Sequence, residues 1–504
     1  MMNRSTLYLS TALIIGTALP SHAQFDGFVL YNNQNQSTSY LIDEDGQIAH
    51  TWSLPSNANY AMALKPDGNI VRGAVNQGNV LNGAAVGGKV QEFTPSGELV
   101  WEFVYSSSSY VTHHDLCLMP NGHVLLTAWA VQTNAALQAL GYTGTQAKWP
   151  TRIIEVEQNG TGGQIVWEWN MLDRFIQYVD PNKPNYMPIA DHPERMNINV
   201  VTSGGGGGPG GGGDWFHVNG IDYNAELDQI AFSSRFLSEI FIIDHSTTTA
   251  EAAGHTGGNS GMGGDFLYRW GKPANYGTPG TQTIAGAVHD VRWIKAGRPN
   301  AGYLQFVNNV GGPGNSTTID AVDPEREGYL YPRVAGMAYG PASNDWRHSC
   351  LANSAGQSAS DRMPDGNTFV ALSDAYMYEV DDQGTVVWQY NASPQKAFRY
   401  TCDDPGIIAL LGENPCGLTT GIAANDSHGA VQLYPNPANG IVTLGGLARK
   451  EVESVVLMDA TGREVMDAGQ SMQLDVSDLA PGIHIVRVRL LTGELFVERL
   501  VVEH

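Results

Sequence analysis

Pro66-Asp67-Gly68-Asn69-Ile70-Val71 decides the fold because it recurs, as Pro120-Asn121-Gly122-His123-Val124-Leu125 and as Pro364-Asp365-Gly366-Asn367-Thr368-Phe369. In each copy the Asx-Gly pair supplies the positive φ of a tight turn and the residues after it start a strand, so each marks a hairpin. A second signal alternates with the first. It is an alternating strand, a glycine turn and another alternating strand closing on tryptophan, running from Leu41 through Gly46 to Trp52, from Val90 through Gly97 to Trp101, from Ile153 through Gly163 to Trp167 and from Tyr378 through Gly384 to Trp388. One degenerate copy closes on Trp270, and another spans Ser316 to Tyr331. About six units of four short strands result. An all-β, six-bladed β-propeller lets such units bury both faces against their neighbours and leaves only short edges.

Composition narrows the function. The chain has 504 residues, 59 of them glycine, with 27 basic against 50 acidic side chains and a net charge of −23. Phosphate recognition needs clustered Lys and Arg, so nucleic acid is not an expected partner. With 42% apolar and 15% charged residues, general disorder is excluded and a large core is expected. Arg4 precedes an apolar run from Leu7 to Leu19 that ends in Ser21-His22-Ala23, which reads as a secretory signal over residues 1–23. No later run is long and apolar enough to span a bilayer, so the mature chain is expected to lack an integral membrane segment and to work outside the cytoplasm.

The propeller is expected over 24–400, a turn-rich linker over 401–430, and a small β-sandwich of six or seven strands over 431–504. Cys402 and Cys416 flank a short loop and could bridge, whereas Cys117 and Cys350 read as buried free thiols. Helical spacing is confined to Asn134 through Leu140. Thr202 to Gly213, with nine glycines around Pro209, reads as a surface insertion.

Aligning the units places Tyr60, His114, His217, His289 and His348 at one repeat position, in the strand that precedes each turn. In a propeller that strand lines the central channel, so side chains at one repeat position converge. Converging imidazoles suit a metal, or they suit anion chemistry as nucleophile and acid/base. Arg235, at the end of the strand after His217, tips the balance: a guanidinium repels a cation and offers two donors to a tetrahedral oxyanion. Its bland alternative is an ion pair with Glu239.

The stretch Asp214-Trp215-Phe216-His217-Val218-Asn219-Gly220-Ile221-Asp222-Tyr223-Asn224, continuing through Ser233-Ser234-Arg235 to Asp244-His245-Ser246, resembles the signature of bacterial arylsulfate sulfotransferases. His113-His114-Asp115, His289-Asp290-Val291-Arg292 and the stretch from Met363 to Tyr400 add looser matches. The glycine run and His348 depart from the family pattern. The tail, with Leu433-Tyr434-Pro435-Asn436-Pro437 and Gly482-Ile483-His484-Ile485-Val486, resembles the sorting domain of the type IX secretion system.

The resemblance implies a secreted, nucleotide-independent enzyme, exported across both membranes. It would move a sulfuryl group from a phenolic sulfate donor to a phenolic acceptor, needing no cofactor and no metal. It makes His289 the transiently sulfated nucleophile, His217 and Arg235 the sulfuryl-binding pair and His114 the acid/base. Apart from the resemblance, Tyr60, His348 and His113 are expected to line the substrate site. The resemblance also implies the type IX machinery as partner. An ordinary imidazole nucleophile puts the acid limb of activity near pH 6, or lower where Arg235 and the other histidines favour its neutral form. The competing reading is a non-catalytic surface propeller that binds glycan or protein.

Overall fold

The turn signals fall where strands reverse. Gly68, Gly122 and Gly366 have φ of 84°, 86° and 96°. In each of those turns the Asp or Asn side chain accepts the backbone N–H two residues on, from Asn69, His123 and Asn367 respectively. The resulting strands are described by a computed structural model over residues 27–201, 212–280, 282, 287–416, 431–445, 449–459, 463–491 and 495–503. The expected signal at 1–23 lies outside the described residues, as do most of the glycine run and residues 417–430. The chain divides into two units, Met1–Cys416 and Gly417–His504.

The first unit holds, among the described residues, six four-stranded antiparallel sheets. Five are consecutive in sequence. Their first strands are Ala58–Leu64, Tyr110–Leu118, Val218–Asn224, Val288–Trp293 and Ser358–Arg362, the inner strands of blades two to six. Blade one is assembled from both ends: Phe28–Asn32, Thr38–Ile42 and Ile48–Ser53 are joined by Ala397–Tyr400, with Phe28 opposite Tyr400 and Tyr31 opposite Ala397. Each inner strand packs on the next around a closed ring, from Ala397–Tyr400 through all five others and back. That ring is a six-bladed propeller, as the repeats predict. Trp52, Trp101, Trp167, Trp270 and Trp388 lie buried on fourth strands, and Trp388 of blade six donates its indole N–H to Glu44 O of blade one at 2.7 Å.

Two sequence expectations change. In blade five the third strand, Thr318–Val322, is separated from the fourth, Trp346–Ser349, by a long excursion, so the closing tryptophan is Trp346 and not within Ser316 to Tyr331. The expected linker 401–430 is folded in its first part. Pro405–Leu411 is a helix capped by Asp404, Ile407 is buried with Phe28, Leu64 and Phe93, and Cys402–Cys416 is a disulfide. The first unit therefore extends past residue 400. The helical turn at Asn134–Ala139 is present, and Cys117 and Cys350 are free and half-buried.

The second unit is a sandwich. Gln432–Tyr434, Ile441–Gly445 and Gln473–Asp475 form one sheet, and Val452–Asp459, Glu464–Gly469, Gly482–Leu490 and Leu495–Val502 form the other. Val442, Leu444 and Leu474 of the first share a core with Val455, Leu457, Val486 and Val488 of the second.

Candidate functional site

Four inner strands break register at or beside the residues of interest: between Ala58 and Met62, Thr112 and Leu116, Val218 and Gly220 (just after His217), and His289 and Arg292. A bulge re-aims the side chain it carries, at the cost of local backbone strain. His114 and His217 both sit at φ 51°, and Asp290 at 55°. Tyr60, His114, His217 and His289 therefore turn into the channel from four successive blades, as the repeat alignment predicts.

The rings form a connected chain. His113 Nδ1 lies 2.8 Å from His114 Nδ1, His114 Nε2 lies 3.1 Å from His217 Nε2, and His217 Nδ1 lies 2.6 Å from Asp214 Oδ2. Tyr60 meets His114 edge-on, ring centres 5.7 Å apart, and His113 stacks on Trp129 at 4.1 Å. Asp214 Oδ1 accepts the Trp129 indole N–H and the backbone N–H of His217. Burial opposes ionisation of Asp214, but His217 outweighs it and holds the carboxyl below its usual range.

His289 has a different neighbour. Its Nδ1 lies 2.7 Å from Asn309 Oδ1, and Asn309 donates both amide hydrogens, to Ser354 O and Gly356 O, each at 2.8 Å. The amide oxygen can then only accept. Nδ1 of His289 carries the hydrogen, and Nε2 carries the lone pair. Burial pushes His289 down to about 3, and the charges of His217, Arg235 and Lys396 act in the same direction. His113 is likewise pushed down to about 3, mainly by burial, and His114 lies well below the ordinary value.

Arg235 is half-buried, and its backbone N–H donates to His217 O at 3.1 Å. Its guanidinium reaches Ala355 O at 3.3 Å, and among the described residues it forms no ion pair. Glu239, the alternative partner, is taken by Arg269 at 2.7 Å. Arg235 is thus left to act on Tyr60 and His289. Burial raises Tyr60 to about 12 even though Arg235 pulls the other way.

His348 does not join the cluster. It lies on the fourth strand of blade five, not on an inner strand, and its Nε2 meets Tyr378 Oη at 2.9 Å between blades five and six. The cause is the missed Trp346: once the excursion is skipped, the repeat position falls instead on Gln357, whose amide donates to Asn219 O.

Asn309, Asp214 and Trp129 support the site without having been assigned to it from sequence, and so does Lys396. This lysine precedes the inner strand of blade one, and its Nζ contacts Asp115 Oδ2 and Asp290 Oδ1 at 2.6 Å each, all three side chains fully buried. The recurring His-Asp pair, His114-Asp115 and His289-Asp290, was the available signal, because two carboxylates buried beneath the histidines require a cation. A cavity of about 420 Å³ opens at the turn end of the same channel, lined by Cys117, Asp222, Arg292, Phe398 and Tyr400. None of the clustered histidines lines it.

The family model described as arylsulfotransferase (ASST) matches residues 16–310, and one described as a secretion system C-terminal sorting domain matches 432–503. No curated protein matches the chain. Among solved structures, a Bacteroides caccae protein of unknown function is 11% identical with TM-score 0.41, covering 74% of this chain and 99% of that one. The Pseudomonas aeruginosa periplasmic gluconolactonase PpgL is 12% identical with TM-score 0.38, covering 94% and 96%. These scores are low, and the fold stands on the ring of sheets described above. The sorting domain marks the protein for export, to the cell surface or the medium. Since the first match spans more than half of the sequence, the chain belongs to the arylsulfotransferase family.

Proposed function

We propose that this protein transfers a sulfuryl group from a phenolic sulfate ester to a phenolic acceptor through a sulfated His289. The observation that carries the reading is the Asn309 amide behind His289 Nδ1, which presents a neutral imidazole with its lone pair on Nε2, near an Arg235 guanidinium that forms no ion pair among the described residues. Nε2 attacks sulfur, the sulfur–oxygen bond breaks, and the electron pair leaves with the phenolic oxygen. Arg235 offers two parallel donors to the sulfuryl oxygens as negative charge spreads over them. In the second half-reaction an acceptor phenol attacks the same sulfur and the pair returns to Nε2. Phenols, with pKa about 10, leave and attack as anions far more readily than alcohols, which favours aryl donors.

The substrates share one channel, so donor phenol leaves before acceptor enters and double-reciprocal plots are parallel. Intact mass after mixing with nitrophenyl sulfate alone tests the reading: one added sulfuryl group, absent in His289→Ala, is expected. Chromophore release without that adduct in the wild-type chain overturns the covalent route. No release at all leaves a binding propeller.

A further inference from the structure

The connection that leads from blade five into blade six is gripped by a carboxylate on one side and grips the site on the other. Asp374 sits exposed in the turn between the second and third strands of blade six, Thr368–Leu372 and Met377–Val380. Its Oδ2 accepts the backbone N–H of Ala355 at 2.8 Å, that of Gly356 at 3.3 Å and the Ser354 hydroxyl at 3.2 Å. The carbonyl oxygens of the same stretch serve other groups. Ser354 O and Gly356 O accept the two Asn309 amide hydrogens, and Ala355 O accepts from Arg235 Nη2 at 3.3 Å.

Two consecutive peptide units therefore join Asp374 to the site. In a planar trans peptide the N–H and C=O point in opposite directions. Ala355 N–H and Ser354 C=O share one unit, which runs from Asp374 to Asn309. Gly356 N–H and Ala355 C=O share the next, which runs from Asp374 to Arg235. A charged acceptor on the N–H polarises the unit and strengthens the hydrogen bond that its oxygen accepts, and it also fixes where that oxygen stands. Asn309 needs both carbonyls: with them displaced, its amide is free to turn over and present hydrogens to His289 Nδ1, which moves the ring hydrogen to Nε2 and removes the lone pair that attacks.

We propose that Asp374 is a positioning residue for sulfuryl transfer, setting the Asn309 amide behind His289 and the resting place of Arg235 through the peptides between Ser354 and Gly356. This rests on the sulfotransferase reading. Asp374 and the stretch it grips lie outside residues 16–310, over which the family match extends.

Single-turnover sulfuryl uptake from nitrophenyl sulfate, read by intact mass and nitrophenol release, tests the proposal. Asp374→Ala should slow uptake about 10–100-fold. Asp374→Asn keeps an oxygen acceptor without the charge and should slow it by less, though still several-fold; it is the second variant in case the alanine chain does not fold. The control is Asp381, a carboxylate in the turn at the opposite end of the same blade, which accepts the backbone N–H groups of Gln383 and Thr385. Asp381→Ala loses turn contacts of the same kind and should take up sulfuryl at the wild-type rate. Added to Asn309→Leu, Asp374→Ala should cost less than it costs the wild-type chain, because part of its route is already cut.

Uptake at the wild-type rate in the folded Asp374 variants overturns the proposal. So does a cost as large in the Asn309→Leu background as without it, or an equal loss in Asp381→Ala. If the wild-type chain itself takes up no sulfuryl group, it is the sulfotransferase reading that fails.

Discussion

His289 shows how one neighbouring side chain sets the chemistry of another. Burial and nearby cations hold it neutral down to about 3, so acid removes its nucleophilic lone pair only well below the value for a free imidazole. The sulfuryl-uptake burst should therefore stay level from pH 7 to pH 5, measured by rapid quench; a fall centred near the ordinary histidine value of about 6.5 would show that the ring is more exposed to water than the structure has it. Asn309→Leu removes the acceptor that fixes the tautomer. It should slow uptake by about 10²-fold while barely changing donor affinity, because tautomer matters to attack more than to binding. Comparing kcat and KM for the variant checks this.

Between elements, contacts across blades keep the bulged strands in place. His245 of blade four stands between Asp228 Oδ1, at 2.6 Å, and Glu155 Oε2 of blade three, at 3.0 Å. Burial disfavours its charge, but the hydrogen bonds to Asp228 and Glu155 win and raise it to about 9. A raised histidine stabilises the fold fully below its unfolded value of about 6.5 and loses that contribution as pH rises through the folded one. His245→Gln should therefore cost about 2–3 kcal/mol near pH 6 and progressively less toward pH 9, as denaturant titration at several pH values will show.

A second interblade contact lies under the nucleophile. A Cβ on Gly220 would stand 2.8 Å from Asp290 Cα and N, on the strand that carries His289. Backbone cannot yield as a side chain tip does, so Gly220→Ala should cost about 1–3 kcal/mol and displace the His289 bulge, lowering uptake along with the melting temperature.

For the whole first unit, closure depends on residues far apart in sequence. Lys396 of blade one reaches Asp115 of blade three and Asp290 of blade five, tying alternate blades together beneath the histidines. Such a buried ionic group is weak evidence for net stability, but removing Lys396 takes the ion-pair partner from buried Asp115 and leaves Asp290 with Arg292 alone. Lys396→Met should then cost about 3–5 kcal/mol, and Lys396→Met combined with Asp115→Asn and Asp290→Asn should recover part of it. Thermal unfolding of the two variants decides; a single variant as stable as the wild type would mean that water reaches the aspartates.

Repeating local signals made the blades legible without coordinates: turns that need Asx-Gly, strands that alternate, tryptophans that close them. The channel histidines were legible for the same reason, since a position that recurs once per blade must recur in space. Tyr60, His114, His217 and His289 followed the repeat into the channel. His348 did not, because an excursion between Val322 and Trp346 hid the last strand of blade five and shifted the count. What no local pattern carries is which side chain stands behind which. Asn309 behind His289, Asp214 behind His217 and Lys396 between two aspartates depend on bulges and loops from different blades meeting at one axis. Local sequence determined the blades and the ring of candidates because turn and strand preferences act over a few residues. Only the closed tertiary structure decided their protonation and charge, because burial and partners in a low-dielectric centre depend on the whole ring.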